Sequence, residues 1–102
     1  MNTLDDIRRQ LAAGEFEFNR HAFKRAIERN ISEAEIRQAG AQASLIEDYP
    51  DDKYAPSSLL LGFTITGRPL HIQASHVDSD LQKIITLYEP DPAEWYDFAR
   101  RR

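Results

Sequence analysis

Apolar residues recur near the start of the chain at the spacing of an amphipathic helix. Leu4, Ile7 and Leu11 fall on one helical face. Thr3 is a suitable N-cap before that face, and Gly14 is a typical stop after it. The pattern therefore predicts a first helix between Thr3 and Gly14.

Two further helices are predicted between residues 20 and 40. The second helix covers residues 20–28, and at 100° per residue its buried face is expected to contain four apolar residues, Ala22, Phe23, Ala26 and Ile27. The third helix begins after Ser32, because Ser32 and Glu35 have the spacing of a capping box. Ile31 and Ile36 are placed to form a hydrophobic staple around that start, and the helix is expected to end near Gly40.

The remaining chain alternates apolar and polar positions, which is the pattern of half-buried strands. A short strand or an extended segment is predicted at Phe16–Phe18, and a strand at Leu45–Tyr49 precedes an acidic loop at Pro50–Pro56. Two hairpins follow, with two-residue turns predicted at Thr66-Gly67 and Asp78-Ser79. This register places seven apolar residues on one sheet face: Leu59, Leu61, Phe63, Leu70, Ile72, Ile85 and Leu87.

The same register predicts an opposite sheet face that is polar and open to solvent. His71 lies on it opposite Gly62, so that the glycine forms the floor of a shallow site beside the imidazole. Gln73, Thr86 and Tyr88 share that face.

A short C-terminal helix is predicted after the strands. Asp91-Pro92-x-Glu94 combines an N-cap, a proline at the first helical position and a capping-box acid. This helix would present Trp95, Phe98 and Ala99 to the core. The predicted class is α+β, with N-terminal helices packed on an antiparallel meander of three to four strands and a short helix at the end.

Composition limits the classes of function. The length of 102 residues fits one domain over residues 1–102, and a net charge of −4 argues against nucleic-acid binding by the whole surface, though not by a local basic patch. The chain contains no cysteine, which suits the cytoplasm and excludes thiolate chemistry. The N-terminus has neither a signal-peptide nor a membrane-span pattern, and no motif indicates a cofactor or a metal centre.

Two groups of residues are candidates for chemistry. On the sheet face, His71 and Tyr88 converge with Gln73 and Thr86; the simpler alternative is a wetted face of an antiparallel sheet. On the second helix, His21, Arg25 and Arg29 form a polar stripe that suits proton exchange and phosphate binding. The alternative for that stripe is a solvated helix face paired with nearby acids.

Two charged segments are interpreted as surface features. Four acids around Tyr49-Pro50, namely Glu47, Asp48, Asp51 and Asp52, lack the spacing of a calcium loop and are expected to form a solvated turn. The run Arg100-Arg101-Arg102 is expected to be exposed and frayed.

The chain resembles a bacterial family, domain of unknown function 4258, in the order and spacing of four motifs. They are His21-x-x-x-Arg25-x-x-x-Arg29-x-Ile31-Ser32, then Glu47-Asp48-Tyr49-Pro50-x-Asp52, then Leu61-Gly62 with Arg68-Pro69-Leu70-His71, and last Ile84-Ile85-Thr86-x-Tyr88-x-Pro90-Asp91-x-x-x-Trp95. The resemblance covers roughly residues 15–98. It leaves the helix in residues 1–14 as an addition to the shared core.

The resemblance implies a compact toxin similar to RelE/ParE and BrnT toxins. A small zinc-finger antitoxin of the YgiT type would be its partner, and RNA would be its substrate. Metal-independent cleavage of RNA on the sheet would use His71 as base or acid and Tyr88 as proton donor, with His21 and Arg25 holding phosphate. Arg29, Gln73 and Thr86 would bind substrate.

A second hypothesis is a non-catalytic interaction module. The acidic net charge, the absence of a specific catalytic motif and the acidic loop favour it. A stable complex with a neighbouring gene product and unchanged cellular RNA would distinguish this module from the ribonuclease.

Overall fold

Three helices and a five-stranded sheet make up most of the fold in the computed structural model, which describes residues 2–53 and 55–102. The helices are α1 (Leu4–Ala12), α2 (Arg20–Glu28) and α3 (Glu33–Ala41). The strands are β1 (Phe16–Phe18), β2 (Ser44–Tyr49), β3 (Ser57–Phe63), β4 (Pro69–Ser75), β5 (Gln82–Tyr88), β6 (Trp95–Tyr96) and β7 (Arg100–Arg101). The predicted loop between β2 and β3 is irregular over its described residues, and Tyr54 within it lies outside them.

Local capping chemistry explains where the helices begin. Thr3 and Asp6 form a capping box on α1, and Ser32 and Glu35 form one on α3. Asn19 caps α2, where its side-chain oxygen accepts a hydrogen bond from the amide of Ala22. The first three predicted helices therefore match the structure closely in position.

The sheet is mixed, with the order β1-β5-β4-β3-β2. β1 pairs in parallel with β5, and the other neighbours in this sheet are antiparallel. The α+β class is confirmed, but the prediction of three or four purely antiparallel strands is wrong. The extended segment at Phe16–Phe18 is the extra strand, and it pairs with the first residues of β5.

The register of the first hairpin differs from the prediction by one residue. Leu60 pairs with Ile72 and Leu61 with His71, because the loop has three residues between Thr64 and Arg68 rather than two. Gly67 adopts a left-handed conformation (φ 88°) at the last loop position, as expected for a three-residue loop. This shift turns Leu60 toward the helices and moves Leu59 and Leu61 to the other face, since side chains alternate along a strand.

The second hairpin contains a bulge that changes which isoleucine enters the core. Ile72 pairs with Leu87, but Ala74 pairs with Ile84, so one extra residue is accommodated on β5. Ile84 therefore packs in the core cluster in place of the predicted Ile85. The core between the helices and the sheet contains Ile7, Leu11, Ala22, Ala26, Ile31, Ile36, Ala39, Ala43, Leu60, Leu70, Ile72, Ala74, Ile84 and Leu87.

The second helix buries less of its apolar surface than predicted. Ala22 and Ala26 are buried, whereas Phe23 and Ile27 are 56% and 66% exposed. α2 lies against β5, and the two small alanines form the contact face. The prediction that Phe23 and Ile27 belong to the core is wrong.

The C-terminal segment forms a small hairpin instead of the predicted helix. β6 and β7 pair across a turn in which Asp97 and Phe98 have φ values of 50° and 62°. Such left-handed residues interrupt a right-handed helix. The predicted frayed arginine run is also wrong, because Arg101 pairs with Trp95 in this hairpin and the Arg102 amide donates to the Glu94 carbonyl.

None of the helices in the described parts of the chain is long and apolar enough to cross a membrane.

Candidate functional site

His71 and Tyr88 lie side by side on adjacent strands, on the sheet face that points away from the helices. They are direct partners in the β4–β5 register, and Nδ1 of His71 lies 3.1 Å from the Tyr88 hydroxyl. Gln73 and Thr86 form the next cross-strand pair on this face. The predicted grouping of these four residues on one face is present in the structure.

The hydrogen bonds of His71 determine its tautomer. Nε2 lies 2.5 Å from the Phe98 carbonyl oxygen, which can only accept, so Nε2 carries the proton. Burial lowers the pKa of His71, which favours the neutral imidazole. Nδ1 of the neutral ring is therefore an acceptor, and the Tyr88 hydroxyl donates to it.

The C-terminal hairpin covers His71 completely. The Trp95 ring packs edge-on against the imidazole with centroids 4.5 Å apart, and His71 is 0% exposed. The expected open site with Gly62 as its floor is therefore wrong. Gly62 lies on the helix side of the sheet, where a Cβ atom would stand 2.0 Å from the Ala39 carbonyl oxygen.

An ion pair fastens this cover to the sheet. The guanidinium of Arg101 donates to both oxygens of Glu47, at 2.8 and 3.1 Å, and lies 4.6 Å from the centroid of the Trp95 ring. The Tyr49 hydroxyl also donates to Glu47, and burial raises the pKa of Tyr49 to about 12. Glu47 is thus a structural anchor, contrary to the expectation of a solvated turn at this position.

Tyr88 faces a groove that His71 does not reach. The groove has a volume of about 590 Å³ and is lined by Arg29, Arg68, Tyr88, Glu89, Asp91 and Glu94. The Arg29 guanidinium lies 5.9 Å from the centroid of the Tyr88 ring and donates to the Leu87 carbonyl at 2.8 Å. Burial raises the pKa of Tyr88, so its hydroxyl keeps its proton at neutral pH.

Arg68 holds the walls of the groove together with its hydrogen-bond donors. It donates to Glu35 at 2.9 Å and to Glu89 at 2.7 Å. It also donates to the backbone carbonyls of Asn30 and Arg29. Arg29 is therefore the lining cation with more donors left for a ligand, since its side chain makes one hydrogen bond among the described residues.

Of the predicted polar stripe on α2, only Arg29 lies beside the sheet-face pair of His71 and Tyr88. His21 lines a separate cavity with Lys83 and Ile85, and Arg25 forms an ion pair with Glu28 at 2.9 Å. Gln73 donates to the Ser57 hydroxyl at 2.9 Å. The structure brings His71, Tyr88 and Arg29 together and leaves His21 and Arg25 outside the groove.

A second polar cluster has no signal in the sequence pattern. Nε2 of His76 lies 2.6 Å from the Ser58 hydroxyl and 3.2 Å from Asp48, and Ser58 also donates to Asp48 at 2.8 Å. In a serine hydrolase the carboxylate and the nucleophile contact different nitrogens of the ring. Here both contact Nε2, and Ser58 is fully buried, so the cluster fits a structural role.

The groove acids were likewise not identified from the sequence as site residues. The sequence predicts a helix cap at Asp91 and gives no indication of a role for Glu89. The motif Tyr88-x-Pro90-Asp91 was the available signal, because it places an acid shortly after the predicted tyrosine.

Comparison with known proteins identifies the family. No curated protein and no solved structure matches the chain. A family described as Domain of unknown function (DUF4258) matches residues 18–89, which include His71, Tyr88 and Arg29 and leave out the C-terminal hairpin. Because this match spans more than half of the sequence, the chain belongs to the DUF4258 family.

Proposed function

We propose that this chain is the toxin-like member of a toxin–antitoxin pair, acting in the cytoplasm as a metal-independent endoribonuclease. The observation that carries the proposal is the hydrogen bond between Tyr88 and His71, beside the Arg29 guanidinium in the groove. Cleavage of RNA by its own 2′-hydroxyl requires a proton acceptor, a proton donor and a cation near the phosphate. These three groups supply those functions.

The proposed step passes the proton through Tyr88. The ribose 2′-oxygen attacks the adjacent phosphorus and gives its proton to the Tyr88 oxygen, while the Tyr88 proton moves to Nδ1 of His71. The bond from phosphorus to the 5′-oxygen breaks, and the proton returns through Tyr88 to that oxygen. The products are a 2′,3′-cyclic phosphate and a 5′-hydroxyl.

This relay explains how a buried histidine takes part in chemistry. His71 is covered by Trp95 and needs contact only with Tyr88, which lines the groove. The imidazolium formed during the step keeps its Nε2 proton on the Phe98 carbonyl. The nearby carboxylate of Glu47 also favours that positive charge.

The charge of the groove restricts the substrate. Glu89, Asp91 and Glu94 lie on its walls with Arg29 and Arg68, so a long polyanion is not held tightly there. A single phosphate beside Arg29 is the expected contact. An RNA already positioned by a larger assembly, such as the ribosome, fits that arrangement better than free RNA.

Induced expression in bacteria tests the proposal. Wild-type protein should arrest growth and degrade cellular RNA, and Tyr88→Phe should relieve both effects while remaining soluble. Tyr96→Phe is the matched control, because Tyr96 is 46% exposed and lies in the hairpin. Normal growth and intact RNA after strong induction of soluble wild-type protein would remove the proposal.

The proposed partner is a small zinc-finger antitoxin of the YgiT type. Its co-expression from a neighbouring gene should restore growth in cells that produce the wild-type chain. Growth that stays arrested in the presence of a soluble zinc-finger neighbour would contradict this assignment.

A non-catalytic interaction module is the second candidate. The complete burial of His71 and the three groove acids favour it. It predicts a stable complex with a neighbouring gene product and no change in RNA, so the expression experiment separates the two candidates.

A further inference from the structure

The outward surface of α2 presents apolar and cationic side chains in one strip. Arg20, Phe23, Lys24 and Ile27 follow the i, i+3, i+4, i+7 spacing that places residues on the same side of a helix. Phe23 is 56% exposed and Ile27 is 66% exposed. We call these four residues the α2 strip.

The fold itself gives Ile27 little to contact. Ala22 and Ala26 pack in the core on the opposite side of α2, and the ring contact of Phe23 is with Phe18, at a centroid distance of 6.0 Å. Contiguous exposed apolar side chains mark binding surfaces more often than single scattered ones do, and Phe23 and Ile27 are neighbours one helical turn apart.

The charge of α2 is opposite to that of the rest of the chain. Residues 20–29 contain four arginines and lysines and one glutamate, a net charge of +3, within a chain of net charge −4. Lys24 is 71% exposed and its only ion pair with a described residue is a 4.0 Å contact with Glu28. No described residue forms an ion pair with Arg20. The strip therefore complements a surface that is both acidic and apolar.

We propose that the α2 strip is the docking site for an acidic amphipathic helix of a partner protein. Apolar side chains of that helix would cover Phe23 and Ile27, and its flanking carboxylates would pair with Arg20 and Lys24. RNA offers the negative charge but no aliphatic surface for Ile27, so a protein segment fits the strip better. The proposal depends on the proposed function only in assuming that the chain acts together with a second protein.

A binding titration with a synthetic probe tests this surface. The probe is a fluorescent helical peptide with leucine on one face and glutamate on the other, and a scrambled peptide of the same composition is its control. The amphipathic peptide should bind at least about tenfold more tightly than the scrambled one, since burying one aliphatic side chain contributes that much affinity or more. Raising the ionic strength from about 0.1 M to about 1 M should weaken binding, because exposed ion pairs are screened.

Substitutions locate the binding surface. Ile27→Ser and Phe23→Ser should each weaken binding about tenfold or more, and Lys24→Glu should weaken it in a salt-dependent manner. Ile65→Ser is the matched control, because Ile65 is 84% exposed in the β3–β4 loop and should leave affinity unchanged.

Three results would overturn the proposal: equal binding of both peptides, unchanged affinity in Ile27→Ser, or displacement of the peptide by an RNA oligonucleotide with a loss confined to Lys24→Glu. Self-association of the wild type that disappears in Ile27→Ser would also contradict it, by assigning the strip to a second copy of the chain. The titration measures binding without RNA cleavage, so this proposal and the proposed ribonuclease can fail independently.

Discussion

The Tyr88 hydroxyl donates a hydrogen bond to Nδ1 of His71 across 3.1 Å, on the sheet face that the C-terminal hairpin covers. The direction of this bond follows from the Phe98 carbonyl at Nε2, which requires the proton on that nitrogen. The Tyr88 phenol therefore connects the buried imidazole of His71 to the groove.

Folding stability should decrease as the pH falls through the ordinary pKa of His71. Burial lowers the pKa of this residue below 6.5, so the unfolded chain binds more protons than the folded chain just below that value. Unfolding free energies from urea titrations should begin to fall as the pH drops below about 6.5, by up to about 1.4 kcal/mol per pH unit.

A variant assigns this pH dependence to His71. His71→Gln should flatten the slope in the pH window just below about 6.5. The window stays above the range of Glu35, Glu47 and Asp48, whose pKa values hydrogen bonding lowers below their ordinary values. An unchanged slope in His71→Gln would contradict the assignment.

Removal of the Trp95 ring should uncover the histidine. Trp95 is 3% exposed, so Trp95→Ala should cost about 3–5 kcal/mol of unfolding free energy. The pKa of His71 should also rise toward its ordinary value, because the imidazole then contacts water. Nuclear magnetic resonance titration of the imidazole measures this rise, with Tyr96→Ala as the control in the same hairpin; equal pKa values in the two variants would show that Trp95 is not the cover.

Close packing of α3 on the sheet should make Gly62 far less tolerant than Gly67. A Cβ atom at Gly62 would stand 2.0 Å from the Ala39 carbonyl oxygen, so Gly62→Ala should cost about 3 kcal/mol or more. A Cβ atom at Gly67 would meet no described atom within 4 Å beyond its chain neighbours, so Gly67→Ala should cost about 1 kcal/mol, from its left-handed backbone alone. Equal losses in denaturant unfolding would contradict the register of the β3–β4 hairpin.

Arg68 should stabilise the protein through its forked shape. Its side chain is 24% exposed and bonds Glu35 and Glu89 together with two backbone carbonyls, so Arg68→Ala should cost about 2 kcal/mol. Arg68→Lys should recover less than half of this, because an ammonium cannot reach all four partners. Arg9→Ala is the control and should cost under about 0.5 kcal/mol, as its ion pair with Asp6 lies at the surface. Full recovery in Arg68→Lys would show that charge alone matters.

Local sequence signals predicted the helices better than the contacts between elements. Capping boxes such as Ser32 with Glu35 act within one turn, so their spacing is sufficient to identify them. The hairpin register depended on whether the loop had two or three residues, and Gly67 is compatible with both lengths. The buried face of α2 could not be inferred from apolarity, because contact with β5 selected the small side chains of Ala22 and Ala26.

The candidate site could likewise be predicted only where it depends on local patterns in the sequence. Parity along β4 and β5 placed His71 and Tyr88 on the same sheet face, and the observed register, shifted by two residues, keeps that parity and makes them direct partners. The cover over His71 depends on the left-handed turn at Asp97 and Phe98 and on the distant pair of Arg101 with Glu47. Contacts between residues so far apart along the chain produce no periodic pattern in the sequence.

Cleavage of ribosome-bound RNA by the purified chain tests the central claim most directly. Wild-type protein should produce 2′,3′-cyclic phosphate and 5′-hydroxyl ends, and Tyr88→Phe should lower the rate by about 100-fold or more with its fold intact, while Tyr96→Phe should not. Folded wild-type protein that leaves ribosome-bound RNA uncut, or equal rates for wild type and Tyr88→Phe, would contradict a reaction centre at Tyr88 and His71.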